Sequence, residues 1–185
     1  MKIRACVFAL AVSIAIGACA KEDKQASGEV ADKAAAVETL KDYPIANLDG
    51  VLTLTGVEFD SLASADGNGS LKVTASAPTT VRLFETGDID VENARIIYRA
   101  RLRTEGVEGN VFLEMWCSFA GKGEFFSRAL QAPLSGTMAW TSQETPFFLK
   151  AGENPDNVKL NLVIDGKGTA WIDEVQLIKG PPGDS

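Results

Sequence analysis

Trp116 and its neighbours are the residues in this chain best suited to holding a ligand. In the run Val111 to Phe119, the residues Phe112, Glu114 and Trp116 alternate with apolar ones, so a strand would present all three on one face. Aromatic rings stack on the apolar face of a sugar, and carboxylates and guanidinium groups bind its hydroxyls. Arg99 and Arg101, two apart in the preceding apolar alternation, are placed to add the guanidinium groups. Phe112, Glu114, Trp116, Arg99 and Arg101 would together form a platform for a polyhydroxylated ligand. The other use for such a face is a second small core, roofed by a loop or by the segment around Leu40 to Leu54. Asp173 alternates with Trp171, Val175 and Leu177, which directs its carboxylate inward, where it needs backbone amides or a cation as partner. Asp88, Asp90 and Glu92 form an alternating acidic trio that suits a solvated strand edge. No pattern sets two carboxylates across a cleft, as glycoside hydrolysis requires, so the expectation is a protein without catalysis. There is no His in the chain, which removes Ser-His-Asp and Cys-His catalysis and His-bearing zinc sites together. Cys117 sits in an apolar alternation and reads as a small buried hydrophobe.

The elements that must position these groups are strands. Ser70 to Ala75 puts Leu71, Val73 and Ala75 on one face. Ile96 to Arg103 puts Ile96, Tyr98, Ala100 and Leu102 on one face and Ile97, Arg99, Arg101 and Arg103 on the other. Val111 to Phe119 has an unbroken apolar face in Val111, Leu113, Met115, Cys117 and Phe119. Val158 to Ile164 points Val158, Leu160, Leu162 and Ile164 inward and Lys159 and Asn161 outward. Short β-branched and aromatic runs broken by Gly, Asp, Asn and Pro predict an all-β, antiparallel sandwich over 40–180. The short, Gly-punctuated link Thr104 to Asn110 predicts that its flanking strands pair as neighbours, which would bring Arg99 and Arg101 across from Phe112, Glu114 or Trp116.

The amino terminus has a different character. Lys2 and Arg4 precede an apolar run from Ala5 to Ala15, and the small pair Gly17-Ala18 precedes Cys19 and a charged stretch. A basic start, a short apolar run and small residues before a break describe a secretory signal, too short for a comfortable membrane span. Cys19 directly after Gly17-Ala18 resembles the lipobox of bacterial lipoproteins. That resemblance implies diacylglycerol on the Cys19 sulfur, cleavage before it, and acylation of the new amine with a chain such as palmitate. Residues 1–18 are then a signal peptide, 19–39 a lipidated flexible tether poor in bulky apolar residues, and 181–185 a disordered tail. Two or three acyl chains anchor stably where one does not. The expected place is the cell envelope, on the outer membrane facing the periplasm or the exterior, since Ala20 and not an acidic residue follows the Cys. Loss of Lys2 and Arg4 takes the net charge from −7 to −9, with 16 bases against 25 acids, which argues against nucleic acid as a partner.

Three segments carry a further resemblance. Gly69-Ser70-Leu71-Lys72-Val73, Tyr98-Arg99-Ala100-Arg101-Leu102-Arg103-Thr104 and Trp171-Ile172-Asp173-Glu174-Val175-Gln176-Leu177 resemble strands of carbohydrate-binding-module and galactose-binding-like jelly rolls. The resemblance covers about Asn47 to Lys179. It implies a non-catalytic jelly roll that binds a glycan or similar ligand. The alternative is an assembly lipoprotein that contacts another envelope protein and has no sugar ligand. It also implies a structural calcium on Asp173 with Glu58 or Asp60.

Overall fold

The structure is a computed structural model and describes residues 37–182. Eight strands form one antiparallel sheet: β1 Glu38–Tyr43, β2 Val57–Asp60, β3 Ser70–Ala75, β4 Thr79–Gly87, β5 Ala94–Phe119, β6 Gly123–Arg128, β7 Leu134–Leu149 and β8 Asn157–Gly180. The first strand begins at Glu38, two residues ahead of the boundary expected from the sequence. The long strands β5 and β8 lie side by side from the Arg95–Gly180 pair to the Ser118–Asn157 pair. This ribbon belongs to both layers of a β-sandwich, because it bends over at its middle.

The bend is written in the burial pattern. In the first half of β5 the core residues are Ile96, Tyr98, Ala100 and Leu102; in the second half they are Val111, Leu113, Met115 and Cys117. The inward positions change from even to odd, and a register shift between Glu105 and Glu108 absorbs the change. Gly109 and Gly166 face each other here with φ of +120° and +149°. A Cβ on Gly109 would overlap the Asp165 carbonyl, and one on Gly166 the Glu108 carbonyl, so the corner requires glycine at both places. Ile96–Arg103 and Val111–Phe119 are therefore two halves of one strand and not the two arms of a hairpin. The hairpin expectation fails because the Gly-rich link bends the chain without reversing it.

One layer holds the start of β5 and the end of β8, flanked by β7 on one side and by β3, β2 and β1 on the other. The second layer runs β4–β8–β5–β6. The apolar faces of both contribute to a single core that includes Leu71, Val81, Tyr98, Leu113, Leu162 and Leu177.

A second parity change corrects the reading of Asp173. Ala170 and Ile172 face the core, and so do Val175 and Leu177. The extra residue is taken up by a bulge at Glu174, which has a φ of +49° and lies where Arg99 pairs with Gln176 and Arg101 with Asp173. Trp171 and Asp173 consequently turn to the outer face. Both are buried there, but outside the core cluster.

Candidate functional site

The outer face of the β4–β8–β5–β6 layer is built from cross-strand rows. Register sets Arg82, Asn161, Glu114 and Arg128 side by side across four strands. The adjoining row is Glu85, Lys159, Trp116 and Phe126. In β5 and β8 alternation puts these residues outward, since their neighbours Leu160, Leu162, Leu113 and Met115 fill the core; in β4 a bulge between Arg82 and Phe84, both Leu83 and Phe84 being buried, brings Glu85 to the same face as Arg82.

Glu114 organises the face. Its side chain is 4% exposed. Trp116 Nε1 donates to Oε1 at 2.7 Å and Asn161 Nδ2 to the same oxygen at 2.9 Å. Arg128 Nε donates to Oε2 at 2.6 Å. Burial alone would push the Glu114 carboxyl up, but the bonds from Asn161, Trp116 and Arg128 outweigh it and hold its pKa below the usual 4.5. Both oxygens are committed, so Glu114 acts by fixing the Trp116 indole and the Asn161 amide. Arg128 also lies over the Phe126 ring, 4.5 Å from its centroid, and Phe126 packs against Trp116 at 5.0 Å.

Two hollows open on this face. One of about 220 Å³ is lined by Arg82, Trp116, Glu124, Lys159 and Asn161. The other, about 320 Å³, is lined by Leu52, Thr53, Thr80, Arg82 and Asn161. They share Arg82 and Asn161, so they adjoin along this face and are together called the trough. Its far wall is the segment Leu52–Thr53, which bonds the edge of β4 through Leu52 N–H to Leu83 O and Thr53 N–H to Arg82 O. From this wall to β6 the face spans about 19 Å at ~4.8 Å between strands. Lys159 and Glu124 form an ion pair on the rim, and Glu124 also accepts from Ser118 at 2.7 Å; the Lys159 bond first, then Ser118, holds its carboxyl below the usual value. Asn161 is 6% exposed, and its Oδ1 has no hydrogen-bond partner among the described residues.

The residues singled out in the sequence divide between places. Trp116 lines the trough. Phe112 is 7% exposed and belongs to the core cluster. Gln143, whose Oε1 and Nε2 bind Leu113 N–H and Ala132 O, ties the 129–134 segment down beside it. Arg99 and Arg101 do not reach Trp116: they sit in the other layer, around a hollow of about 350 Å³ that also includes Asp42, Asp66, Asp173 and Gln176. Arg99 pairs with Glu144, and Arg101 Nη2 donates to the Trp140 carbonyl at 3.2 Å. Beside Trp116 the guanidinium groups come instead from Arg82 and Arg128. Arg82, Lys159 and Asn161 were not singled out as site residues. The outward placement of Lys159 and Asn161 was readable from alternation, but their neighbours on the face follow only from the strand order.

Each of the three calcium candidates has partners within the protein. Asp173 is 1% exposed and its oxygens accept from Ala65 N–H at 2.7 Å, Ser64 Oγ at 3.2 Å and Glu174 N–H at 2.8 Å. Asp60 takes Leu62 N–H at 2.9 Å, Ala63 N–H at 3.1 Å and Trp171 Nε1 at 2.9 Å. These bonds, that from Trp171 first, hold the Asp60 carboxyl below its usual value. Glu58 is well exposed and faces Lys72 at 3.8 Å. Among the described residues no group of three or more acidic, Cys or His side chains is arranged to hold a metal ion. The donors around Asp60 and Asp173 are N–H and O–H groups, which do not suit a cation. Both carboxylates hold down the 61–66 loop, which is the backbone-amide alternative for Asp173. Cys19 lies outside the described residues.

No protein-family model matches the chain, and no curated protein matches it in sequence. Solved structures share its fold. The CBM22-1 xylan-binding domain of Paenibacillus barcinonensis Xyn10C superposes with a TM-score of 0.60 at 14% identity, over 81% of this chain and 99% of that one. The CBM22-1–GH10 modules of Clostridium thermocellum xylanase Xyn10B, complexed with xylohexaose, give 0.57 at 13% identity, over 80% of this chain and 29% of that one. The tandem CBM22-1–CBM22-2 domains of the Paenibacillus enzyme give 0.57 at 15%, over 84% and 48%. The fold is thus the β-sandwich of carbohydrate-binding modules.

Proposed function

We propose that this domain binds a glycan without catalysis, in the trough over Arg82, Trp116 and Asn161. The observation that carries the reading is the trough itself. It combines an indole held in place by a buried carboxylate, a buried acceptor at Asn161 Oδ1 with no partner among the described residues, and donors on Arg82 and Lys159. Rings and alternating hydrogen-bonding groups suit a sugar chain. The shared fold with a module described as xylan-binding supports the reading. Absence of catalysis is supported by the two carboxylates nearest the trough. Glu114 and Glu124 both sit below the usual carboxylate pKa, whereas a general acid in glycoside hydrolysis must hold its proton at neutral pH.

The chain carrying this domain is, in the same proposal, an envelope lipoprotein anchored through Cys19 to the outer membrane. The test takes the full chain in detergent and measures retardation in gels containing xylan, mixed-linkage glucan, galactan or peptidoglycan fragments. Retention of at least one polymer, weakened by Trp116→Ala, is expected; equal mobility in all of them defeats the glycan reading. Cys19→Ser is expected to release the protein from membranes after a carbonate wash, and retention would defeat the anchor.

A second reading has one observation in its favour. Phe125, Phe126, Phe148 and Leu130 are each at least 50% exposed, and Phe125 and Phe148 line a hollow of about 370 Å³ together with Phe119 and Phe147, rimmed by Lys122, Lys150 and Glu153. Such a patch suits contact with another envelope protein. Loss of a co-purifying envelope protein on Phe148→Ser, with glycan retention unchanged, would favour this role.

A further inference from the structure

The middle of the trough has an unmet donor set beside an unmet acceptor. Arg82 is the cross-strand partner of Asn161, and both residues line both hollows. The other two cations on this face are taken, Arg128 by Glu114 and Lys159 by Glu124. Arg82 makes no side-chain hydrogen bond and no ion pair within 4 Å among the described residues, although, after the Lys159 and Ser118 bonds, its charge helps hold the Glu124 carboxyl down across the smaller hollow. Beside it, Asn161 spends its Nδ2 on Glu114 while its Oδ1, buried, accepts nothing. A buried acceptor of this kind favours a ligand that brings it a hydroxyl donor. The smaller hollow also carries a net positive lining, Arg82 and Lys159 against Glu124, on a chain whose net charge is −7.

We infer that the glycan is acidic. A uronate unit sits at the centre of the trough, with its carboxylate on the Arg82 guanidinium and a ring hydroxyl donating to Asn161 Oδ1. This deepens the glycan reading and rests on it. The chemistry asks for an anion and a hydroxyl on the same small ring. Arg82 favours a planar carboxylate, because a guanidinium presents paired N–H groups that match two carboxylate oxygens. The rest of the trough is compatible with either neutral or acidic neighbours, since its other charges are already paired.

The experiment compares retention of the full chain, in detergent, by three polymers: neutral xylan, a uronate polymer such as polygalacturonate or glucuronoxylan, and a sulfated polymer of similar length. The uronate polymer is expected to bind best and to weaken as salt rises from low to physiological strength. Arg82→Gln should cut uronate affinity about fivefold, the upper end for an exposed charge pair, and weaken neutral xylan by a smaller factor, since a neutral sugar loses only a hydrogen bond there. Arg82→Lys should recover only part of the loss. Asn161→Leu removes the acceptor and should weaken the uronate polymer further. Neutral xylan bound as well as the uronate polymer, with sensitivity to Trp116→Ala intact, overturns the acidic assignment and leaves the glycan reading standing. Preference for the sulfated polymer, with Arg82→Lys equal to wild type, overturns the carboxylate. Binding to none of the three overturns the acidic assignment, and extension of that result to the full polymer panel overturns the glycan reading as well.

Discussion

Removal of the Glu114 carboxylate is the sharpest test of how this face is held. Glu114→Ala strips three charge-assisted bonds at once, from Trp116, Asn161 and Arg128. The Arg128 side chain is 38% exposed, so its charge returns to water and its share is at most ~1 kcal/mol. The Asn161 amide is buried and the Trp116 N–H partly so, and each loses a bond to a charged acceptor. With water able to enter from the adjoining hollow, each costs about 1 kcal/mol, near the low end of the usual range. The sum is about 3 kcal/mol, or roughly 10 °C in melting temperature for a domain of this size. Glu114→Gln keeps an acceptor for Trp116 and Asn161 but turns an amide N–H₂ toward Arg128, at about 1–2 kcal/mol. Urea denaturation followed by tryptophan fluorescence measures both. The pH dependence has a definite sign. Because the folded pKa of Glu114 lies below its ordinary 4.5, the stabilisation is complete above that value and drains away as pH falls through the folded pKa. The gap between wild type and Glu114→Gln should therefore be constant near neutrality and close on acidification below 4.5. A cost under ~1 kcal/mol for Glu114→Ala, with indole emission unchanged, would refute the claim that this carboxylate organises the trough.

Other substitutions probe the frame. Gly109→Ala should destabilise by about 3 kcal/mol or more in chemical denaturation, because the added methyl overlaps the Asp165 carbonyl at a φ of +120°; a near-neutral result would mean the corner can open. Asp173→Asn should cost about 2 kcal/mol by setting an amide N–H₂ against backbone N–H donors, while chelator should leave the wild-type melting temperature unchanged. A chelator-sensitive transition would restore the calcium account. Cys117 is fully buried and its thiol is pushed up to about 12, so it should resist a disulfide reagent at pH 8 until the protein unfolds; rapid labelling of native protein would contradict this burial.

The strands that carry the trough were readable because each follows a period of two. In Val158 to Ile164 and Val111 to Phe119 the inward residues are those the structure buries, and Lys159, Asn161, Glu114 and Trp116 share the outer face as expected; Phe112, read as outward, joins the core cluster instead. Two errors came from places where one extra residue shifts the count. At Gly106 to Gly109 the glycines indicated a break but not its kind, since a tight turn and a corner both need residues tolerant of positive φ. At Glu174 nothing marked the bulge at all, because the positive φ falls on a residue that does not advertise it, and so Asp173 was assigned to the wrong side. Arg82 and Phe126 could not be joined to Trp116 from sequence, because their closeness depends on which strands are neighbours, a long-range property that composition and periodicity do not carry.

The pairing of β8 with β1, β3, β4 and β5 has a consequence for how the chain comes to be folded. The last strand made is the spine of both layers, and Glu38 at one end finds its partner in Lys179 at the other. Neither layer is a unit that could form early and wait. Contacts so far apart along the chain close slowly, and they close together. During synthesis neither layer can close until β8 has emerged, so the strands before it stay without their central partner until then.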